Sequence, residues 1–165
     1  MLGKYTTHFN PGEEGRTANV RLAAKAVDGQ VLMPGDTFSL NKTTGERTPA
    51  KGYQVAKIFV KLPDEAKSQI VDGVGGGVCQ VSSTLFNAVL RTNGKGSGRL
   101  KVVERNHHSL PVTYVPPGMD ATVAWPYKDF RFRNDYSFPI YVRTEINGSH
   151  LAISLWGRVP DMNAA

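Results

Sequence analysis

Glycine and proline residues divide this sequence into short apolar runs, and that pattern limits the folds it can adopt. The 165 residues include 17 glycines and 10 prolines, scattered along the chain and not gathered in one low-complexity block. Such residues mark turns between short elements. Strand-like runs dominate, two stretches have helical spacing, and there is no repeat and no strand–helix alternation. This predicts an α+β fold, mainly of antiparallel or mixed sheet with two principal helices, in one compact domain.

The two predicted helices are defined by their apolar positions. Thr17 is the predicted N-cap of the first helix, which Asp28-Gly29 ends. The second helix is predicted over 78–91, directly behind three glycines. The apolar stripes comprise Val20, Ala23, Ala24 and Val27 in the first helix and Val81, Leu85, Ala88 and Val89 in the second.

Strands are predicted wherever β-branched and apolar residues lie between turn signals. Residues 1–15 are an N-terminal strand and loop, 41–48 form a polar loop, and 93–98 form a flexible loop, either natural or an engineered replacement. Asn147-Gly148 is a hairpin signal. The other predicted strands are 31–33, 37–40, 55–62 paired with 70–71 across a turn at 63–69, 100–104, 111–115, 121–125, 130–133, 140–146 and 151–156.

Composition limits the classes of partner. The net charge of +6 suits an anionic partner such as nucleic acid, anionic lipid or an acidic wall polymer. The sequence has no nucleic-acid-binding motif, so nucleic acid is not expected. A single cysteine excludes an internal disulfide and a thiolate metal site, and we expect no metal or cofactor. No apolar run reaches the length of a membrane span, and no signal-peptide pattern follows Met1; the residues alone leave the compartment open.

The main candidate for chemistry is the turn Gly75-Gly76-Gly77 and the cysteine behind it, Cys79. A thiol at a helix N-terminus has a lowered pKa because the positive end of the helix favours the thiolate, which is the nucleophile. The N–H groups there can also hold an oxyanion or a carboxylate. The alternative is that Cys79 is a small buried hydrophobic residue. The predicted binding residues of this segment are Gly76, Gly77, Gln80, Ser82 and Ser83.

A cysteine nucleophile requires a base, and the sequence offers one histidine pair in a loop. His107 and His108 follow a predicted strand, and adjacent residues of extended chain point in opposite directions, so at most one faces the site. Asp120 or Asn106 is expected to orient the base. The remaining histidines, His8 and His150, are expected at the surface. The aromatic residues expected to pack between strands are Trp125, Tyr127, Phe130 and Phe132.

Through these residues the chain resembles the VanW-like family, named for an accessory protein of vancomycin-resistance clusters. The resemblance implies an extracytoplasmic domain, mostly of Gram-positive bacteria and often beside wall-associated modules, and it spans 1–165. A lone thiol outside the cytoplasm favours a functional role for Cys79. The blocks that carry the resemblance are RTANV at 16–20, PGDTFSLN at 34–41, GERT at 45–48, GY at 52–53, GGGVCQVSST at 75–84, ER at 104–105, HS at 108–109 and YVPPGMDATV at 114–123.

Three hypotheses of function follow. In the first, the protein cleaves or remodels peptidoglycan: Cys79 attacks a peptide or amide carbonyl and His108 takes the proton. In the second, a protonated carboxyl group cleaves the glycan strand, as a lytic transglycosylase does. In the third, the domain binds the wall without catalysis, and Arg47 and Arg105 capture a carboxylate or anionic polymer. The oligomeric state stays open. The carboxyl groups considered for the second hypothesis are Glu104, Asp120 and Asp129.

Overall fold

The computed structural model describes residues 1–60, 68–94 and 98–158, and every strand pairing among them is antiparallel. This confirms the α+β prediction. The largest sheet has the strand order β1-β9-β8-β2. Its members are β1 (Gly3–His8), β2 (Val31–Leu32), β8 (Ile140–Asn147) and β9 (His150–Gly157). The hairpin predicted at Asn147-Gly148 joins β8 to β9, and Gly148 has a φ of 58°.

Two smaller sheets complete the β structure. One has the order β3-β7-β6, where β3 is Thr37–Ser39, β6 is Leu100–Glu104 and β7 is Arg131–Asn134. The other is the isolated hairpin of β4 (Val55–Val60) and β5 (Gln69–Val74), in which Phe59 faces Ile70. The predicted pairing of 55–62 with 70–71 is therefore confirmed for its described part.

Three α-helices are described, and the two long ones pack on the large sheet. They are α1 (Glu14–Val27), α2 (Leu40–Thr44) and α3 (Val78–Thr92). Helix α3 contacts β1, β9 and α1, and α1 also contacts β8. Nearly all of α3 is buried, so it is a central element and not a surface helix with one apolar stripe. None of the helices in the described segments is long and apolar enough to cross a bilayer.

Several local predictions are wrong. Thr17 lies inside α1, not at its N-cap: α1 begins at Glu14, and the Thr17 hydroxyl donates to the Asn10 carbonyl at 3.3 Å. The predicted loop 41–48 contains most of α2, capped by Ser39, whose hydroxyl accepts from the Lys42 N–H at 3.0 Å. The segments 111–115 and 121–125 are irregular, and only the second forms isolated bridges, at Thr122 and Ala124. Strand β5 spans Gln69–Val74 and is therefore longer than the predicted 70–71.

Some predicted features lie wholly or partly outside the described residues. These are most of the turn at 63–69 and the centre of the loop at 93–98. Among the aromatic predictions, Phe130 and Phe132 are fully buried in the core, as expected. Trp125 and Tyr127 are 43% and 88% exposed, so the expectation that they pack between strands is wrong.

Candidate active site

The glycine turn adopts a conformation that only glycine accommodates, and it fixes where α3 begins. Gly75 and Gly77 have φ angles of 93° and 114°, in the left-handed region. At Gly76 a Cβ would lie 2.6 Å from the Lys57 carbonyl oxygen, so the turn also packs directly against the β4 backbone. The three glycines therefore allow the chain to leave β5 sharply and enter α3 at Val78.

A buried asparagine of α1 holds this turn in place. The Asn19 side-chain amide donates to the carbonyls of Gly76 at 2.9 Å and Gln54 at 2.8 Å, and its oxygen accepts from the Gln54 N–H at 2.7 Å. Asn19 is fully buried, and these three bonds use both its donors and its acceptor. Asn19 thus joins the glycine turn to α1 and to Gln54, the residue just before β4.

Cys79 is the second residue of α3 and is partly buried. Its sulfur accepts from the Val123 N–H at 3.4 Å and also lies 3.4 Å from the Thr122 hydroxyl. Within the described chain, the Cys79 N–H itself donates to no carbonyl. The sulfur therefore has donors that stabilise a thiolate, and a free N–H lies on the same residue.

His108 lies close enough to Cys79 for each group to shift the pKa of the other, and Asp120 orients the His108 ring. The Asp120 Oδ2 atom is 2.6 Å from the His108 Nδ1 atom and accepts from the His108 main-chain N–H, also at 2.6 Å. Because Nδ1 is engaged by the carboxylate, Nε2 is the ring nitrogen left to exchange a proton with Cys79. Both side chains are well shielded, at 5% exposure for His108 and 10% for Asp120.

The three groups shift one another's pKa values toward the charged forms. Burial alone would raise the pKa of Cys79, but the hydrogen bond and charge of His108, with Thr122 and Val123, outweigh it and lower that pKa. Burial alone would lower the pKa of His108, yet Cys79 and Asp120 raise it overall. Burial would likewise raise the pKa of Asp120, and its bonds to His108 lower it. The arrangement favours a thiolate–imidazolium pair beside an ionised carboxylate.

Cys79 and His108 line a cleft of ≈ 1230 Å³, and Asp120 contacts the His108 ring from outside that lining. The β4–β5 hairpin forms one side, and the Phe59 ring packs edge-on against His108 with 5.4 Å between ring centroids. Tyr114 lines the cleft as well. Burial and the nearby Cys79 charge raise the pKa of Tyr114, so it stays protonated. The volume is that of a site for a peptide-sized ligand.

The predicted binding residues divide into two groups. Four of them line the cleft: Arg47, Gly76, Gly77 and Gln80. The fully buried Gln80 fixes β1 to α3, because its amide donates at 2.9 Å to both the Thr7 hydroxyl and the His8 carbonyl.

Ser82, Ser83 and Arg105 do not line the cleft. Ser83 accepts from the Ala121 N–H at 2.9 Å, and both serines are fully buried. Arg105 donates from Nε to the Asp120 carbonyl at 2.7 Å and stacks over the Phe86 ring at 4.5 Å. Ser83 and Arg105 hold the Asp120 segment against α3, so we assign them a positioning role, whereas the buried Ser82 hydroxyl has no hydrogen-bond partner among the described residues.

The remaining predicted catalytic residues lie away from the thiol. Asn106 donates to the Asp129 carbonyl at 3.2 Å, and Glu104 accepts from the Asp129 N–H at 3.0 Å. The Asp129 carboxylate accepts from the N–H groups of Asn41 at 2.9 Å and Phe130 at 2.8 Å. This cluster joins sheet strands to neighbouring loops. The structure therefore brings Cys79, His108 and Asp120 together, whereas Asn106 and Glu104 lie outside the cleft.

Sequence reasoning missed Asn19, Tyr114 and Thr122. Asn19 lies in the RTANV block, and the other two lie in the YVPPGMDATV block. The family resemblance therefore includes these residues, but the sequence gives no role for any of them. Within the described residues, no three His, Cys, Asp or Glu side chains gather in a way that could hold a metal ion.

Comparisons with known proteins point to one family. A family model described as VanW like protein matches residues 15–156. The chain is 47% identical over 156 residues to the uncharacterized protein YoaR of Bacillus subtilis, covering 94% of this chain and 48% of that protein. It is 31% identical over 132 residues to the vancomycin B-type resistance protein VanW of Enterococcus faecalis, covering 74% and 42%. The chain thus spans less than half of each relative, and no solved structure matches it significantly.

Proposed function

This chain belongs to the VanW-like family, and on that basis we propose that it is a cysteine enzyme that acts on peptide or amide bonds of peptidoglycan outside the cytoplasm. The single observation that carries the proposal is the placement of Cys79, at the start of a helix, in one cleft with His108, whose ring is held by Asp120. Peptidoglycan as the substrate is supported by the relative named for resistance to vancomycin, an antibiotic that targets wall synthesis.

The first half-reaction forms a thioester. The Cys79 thiolate attacks the carbonyl carbon of the scissile amide. The resulting oxyanion accepts a hydrogen bond from the main-chain N–H of Cys79, which donates to no carbonyl of the described chain. The C–N bond then breaks, and the His108 imidazolium gives its proton to the departing amine. Asp120 keeps the ring oriented and stabilises its positive charge while it is protonated.

The second half-reaction releases the acyl group. Neutral His108 takes a proton from water or from an amine of a second peptide, which attacks the thioester carbonyl. The S–C bond breaks and Cys79 returns as the thiolate. Water gives hydrolysis and an amine gives transpeptidation, so the same three residues serve both outcomes.

The arrangement supports thiol chemistry better than glycan cleavage by a carboxylic acid. A general acid must hold a proton at neutral pH, whereas the pKa of Asp120 is lowered. Glu104 and Asp129 accept hydrogen bonds from main-chain N–H groups outside the cleft and do not face a ligand there. None of the three carboxyl groups considered for glycan cleavage therefore lines the cleft.

Digestion of purified peptidoglycan tests the proposal. We expect the wild-type protein to produce new peptide termini or new cross-links, and Cys79→Ala to reduce the rate by at least about 10³-fold. Cys79→Ser is the matched control, because it keeps the size of the side chain and removes the thiolate. Anhydro-sugar products that persist in Cys79→Ala would replace the proposal with glycan cleavage. Co-sedimentation with the wall and no released product would replace it with a binding module.

A further inference from the structure

Arg47 lines the same cleft as Cys79, and its guanidinium has fewer hydrogen-bond partners among the described residues than it has donors. Its Nη1 donates to the Gly45 carbonyl at 3.1 Å. Its Nη2 is buried and has no hydrogen-bond partner among the described residues. A buried guanidinium nitrogen without an acceptor is costly, because the group was fully hydrated in the unfolded chain. Such a nitrogen is an open position for a ligand acceptor.

No carboxylate of the described chain neutralises this guanidinium. Arg47 takes part in no ion pair with the described acidic residues. Cys79, Tyr53 and Asp129 are near enough to influence it electrostatically, but none of them forms a hydrogen bond with the described guanidinium. The Asp129 carboxylate is occupied by Ser39, Asn41 and Phe130. Buried charges in proteins are normally paired, so an unpaired one beside a nucleophile indicates that the missing anion belongs to the substrate.

The backbone around Arg47 is built to hold its side chain in this place. The chain turns at Gly45, whose φ is 68°, and the guanidinium folds back onto that residue's carbonyl. Across the cleft, a Cβ on Gly75 would lie 2.9 Å from the Arg47 Cβ. The first glycine of the turn before Cys79 therefore makes room for the Arg47 stem. Arg47 and the nucleophile are placed by the same piece of backbone.

We infer that Arg47 is the binding site for a free carboxylate of the substrate, so that the enzyme selects acyl donors that carry a carboxylate close to the scissile amide. This inference rests on the proposed function and identifies the chemical class of its substrate. A planar guanidinium suits the task because it binds a carboxylate through two parallel N–H groups. Peptides with a free C-terminal carboxylate, or with a free α-carboxylate on a side chain, belong to this class.

Alkylation of Cys79 tests the inference without any peptide substrate. Iodoacetate carries a carboxylate and iodoacetamide is its neutral counterpart, and the chain has one cysteine, so intact-protein mass spectrometry reports Cys79 alone. We expect the ratio of the iodoacetate rate to the iodoacetamide rate to fall about tenfold in Arg47→Gln. Arg47→Lys keeps the positive charge but lacks the two parallel N–H groups of the guanidinium, so it should give an intermediate ratio.

Lys57→Gln is the matched control. Lys57 also lines the cleft and its loss removes the same charge, but its ammonium already pairs with Asp72 at 2.7 Å and is 69% exposed. We expect its ratio to stay at the wild-type value. A ratio that falls equally in both variants would mean a general effect of charge and would overturn the inference. An unchanged ratio in a folded Arg47→Gln would overturn it as well.

A second measurement needs no variant and covers the case in which Arg47→Gln does not fold. Acetate should slow the alkylation of the wild-type protein by iodoacetamide, whereas acetamide at the same concentration should not. Equal protection by the two, or none, would contradict a carboxylate site. These outcomes are independent of peptidoglycan turnover, so the inference and the proposed reaction fail separately.

Discussion

Replacing Asp120 with asparagine removes the charge that orients and stabilises His108 while keeping the shape of the side chain. In the structure, one oxygen of Asp120 receives both the ring Nδ1 and the main-chain N–H of His108, each at 2.6 Å. Only the ring bond depends on whether His108 is protonated. A hydrogen bond between charged groups contributes about 1.5–3 kcal/mol, so its loss lowers the pKa of the imidazolium and, at about 1.4 kcal/mol for each factor of ten, makes the protonated form about 10–100-fold less favourable.

The lowered histidine pKa reduces the fraction of thiolate at acidic pH. The Cys79 thiolate is stabilised by the imidazolium, so the ion pair becomes about 10–100-fold less populated relative to the neutral pair. At about pH 6 an ordinary thiol, with a pKa of about 8.5, is almost fully protonated. The wild-type protein should therefore react with iodoacetamide rapidly at that pH, and Asp120→Asn about tenfold or more slowly. The two rates should converge above about pH 9, where the thiol ionises without help.

The assay is the rate of Cys79 alkylation as a function of pH, followed by the mass of the intact protein. Asp135→Asn is the control, because that exposed carboxylate pairs with Arg133 far from the cleft and should leave the profile unchanged. A wild-type profile with its midpoint at the ordinary thiol pKa, or identical profiles for wild type and Asp120→Asn, would refute the coupling of the three residues.

The remaining predictions concern stability and can be checked by chemical denaturation. Asn19→Ala removes the three hydrogen bonds that join α1 to the glycine turn and to Gln54, and at about 1 kcal/mol each it should lower the free energy of unfolding by about 3 kcal/mol; a loss below about 1 kcal/mol would show that these bonds are not needed. Gly77→Ala should cost about 1–3 kcal/mol, since φ is 114° and the new Cβ would lie 3.1 Å from a Val20 methyl; an unchanged midpoint would contradict this. Phe130→Ala should cost about 3–5 kcal/mol, as the ring is fully buried. The pKa of Asp120 is lower in the folded state, so its stabilisation is complete above about pH 4 and is lost as the pH falls through the folded pKa; Asp120→Asn should lack this acid-dependent part, and an unaltered pH dependence would count against it.

The sequence predicted those parts of the fold that depend on local signals. Helix α3 and the β8–β9 hairpin were predicted within one or two residues at each end, because an apolar stripe behind glycine and an Asn-Gly turn are sufficient by themselves. Residues 111–125 were predicted as two strands and are irregular. Their path is set by contacts distant in sequence, such as the Asn87 amide to the Met119 carbonyl at 2.8 Å. Alternating apolar residues cannot reveal such contacts.

The site was predictable in its residue types but not in its partners. The glycine turn identified Cys79, and a loop position identified the histidine pair. Nothing in the sequence separates Asp120 from Asn106 as the orienting group, since both lie a short distance from His108 along the chain. The fold separates them: Asn106 is directed toward Glu104 and the Asp129 carbonyl, while Asp120 is directed toward the His108 ring. The open position at Arg47 depends equally on tertiary packing.

The most direct test of the central claim is the mass of the intact protein after brief exposure to soluble peptidoglycan fragments and acid quenching. The mechanism predicts an added acyl group, located at Cys79 by fragmentation, that disappears when hydroxylamine cleaves the thioester. The adduct should be absent from Cys79→Ala and should build up more slowly in His108→Ala. Fragments that are cleaved by wild type and Cys79→Ala at the same rate, with no adduct on either protein, would contradict nucleophilic catalysis by this cysteine.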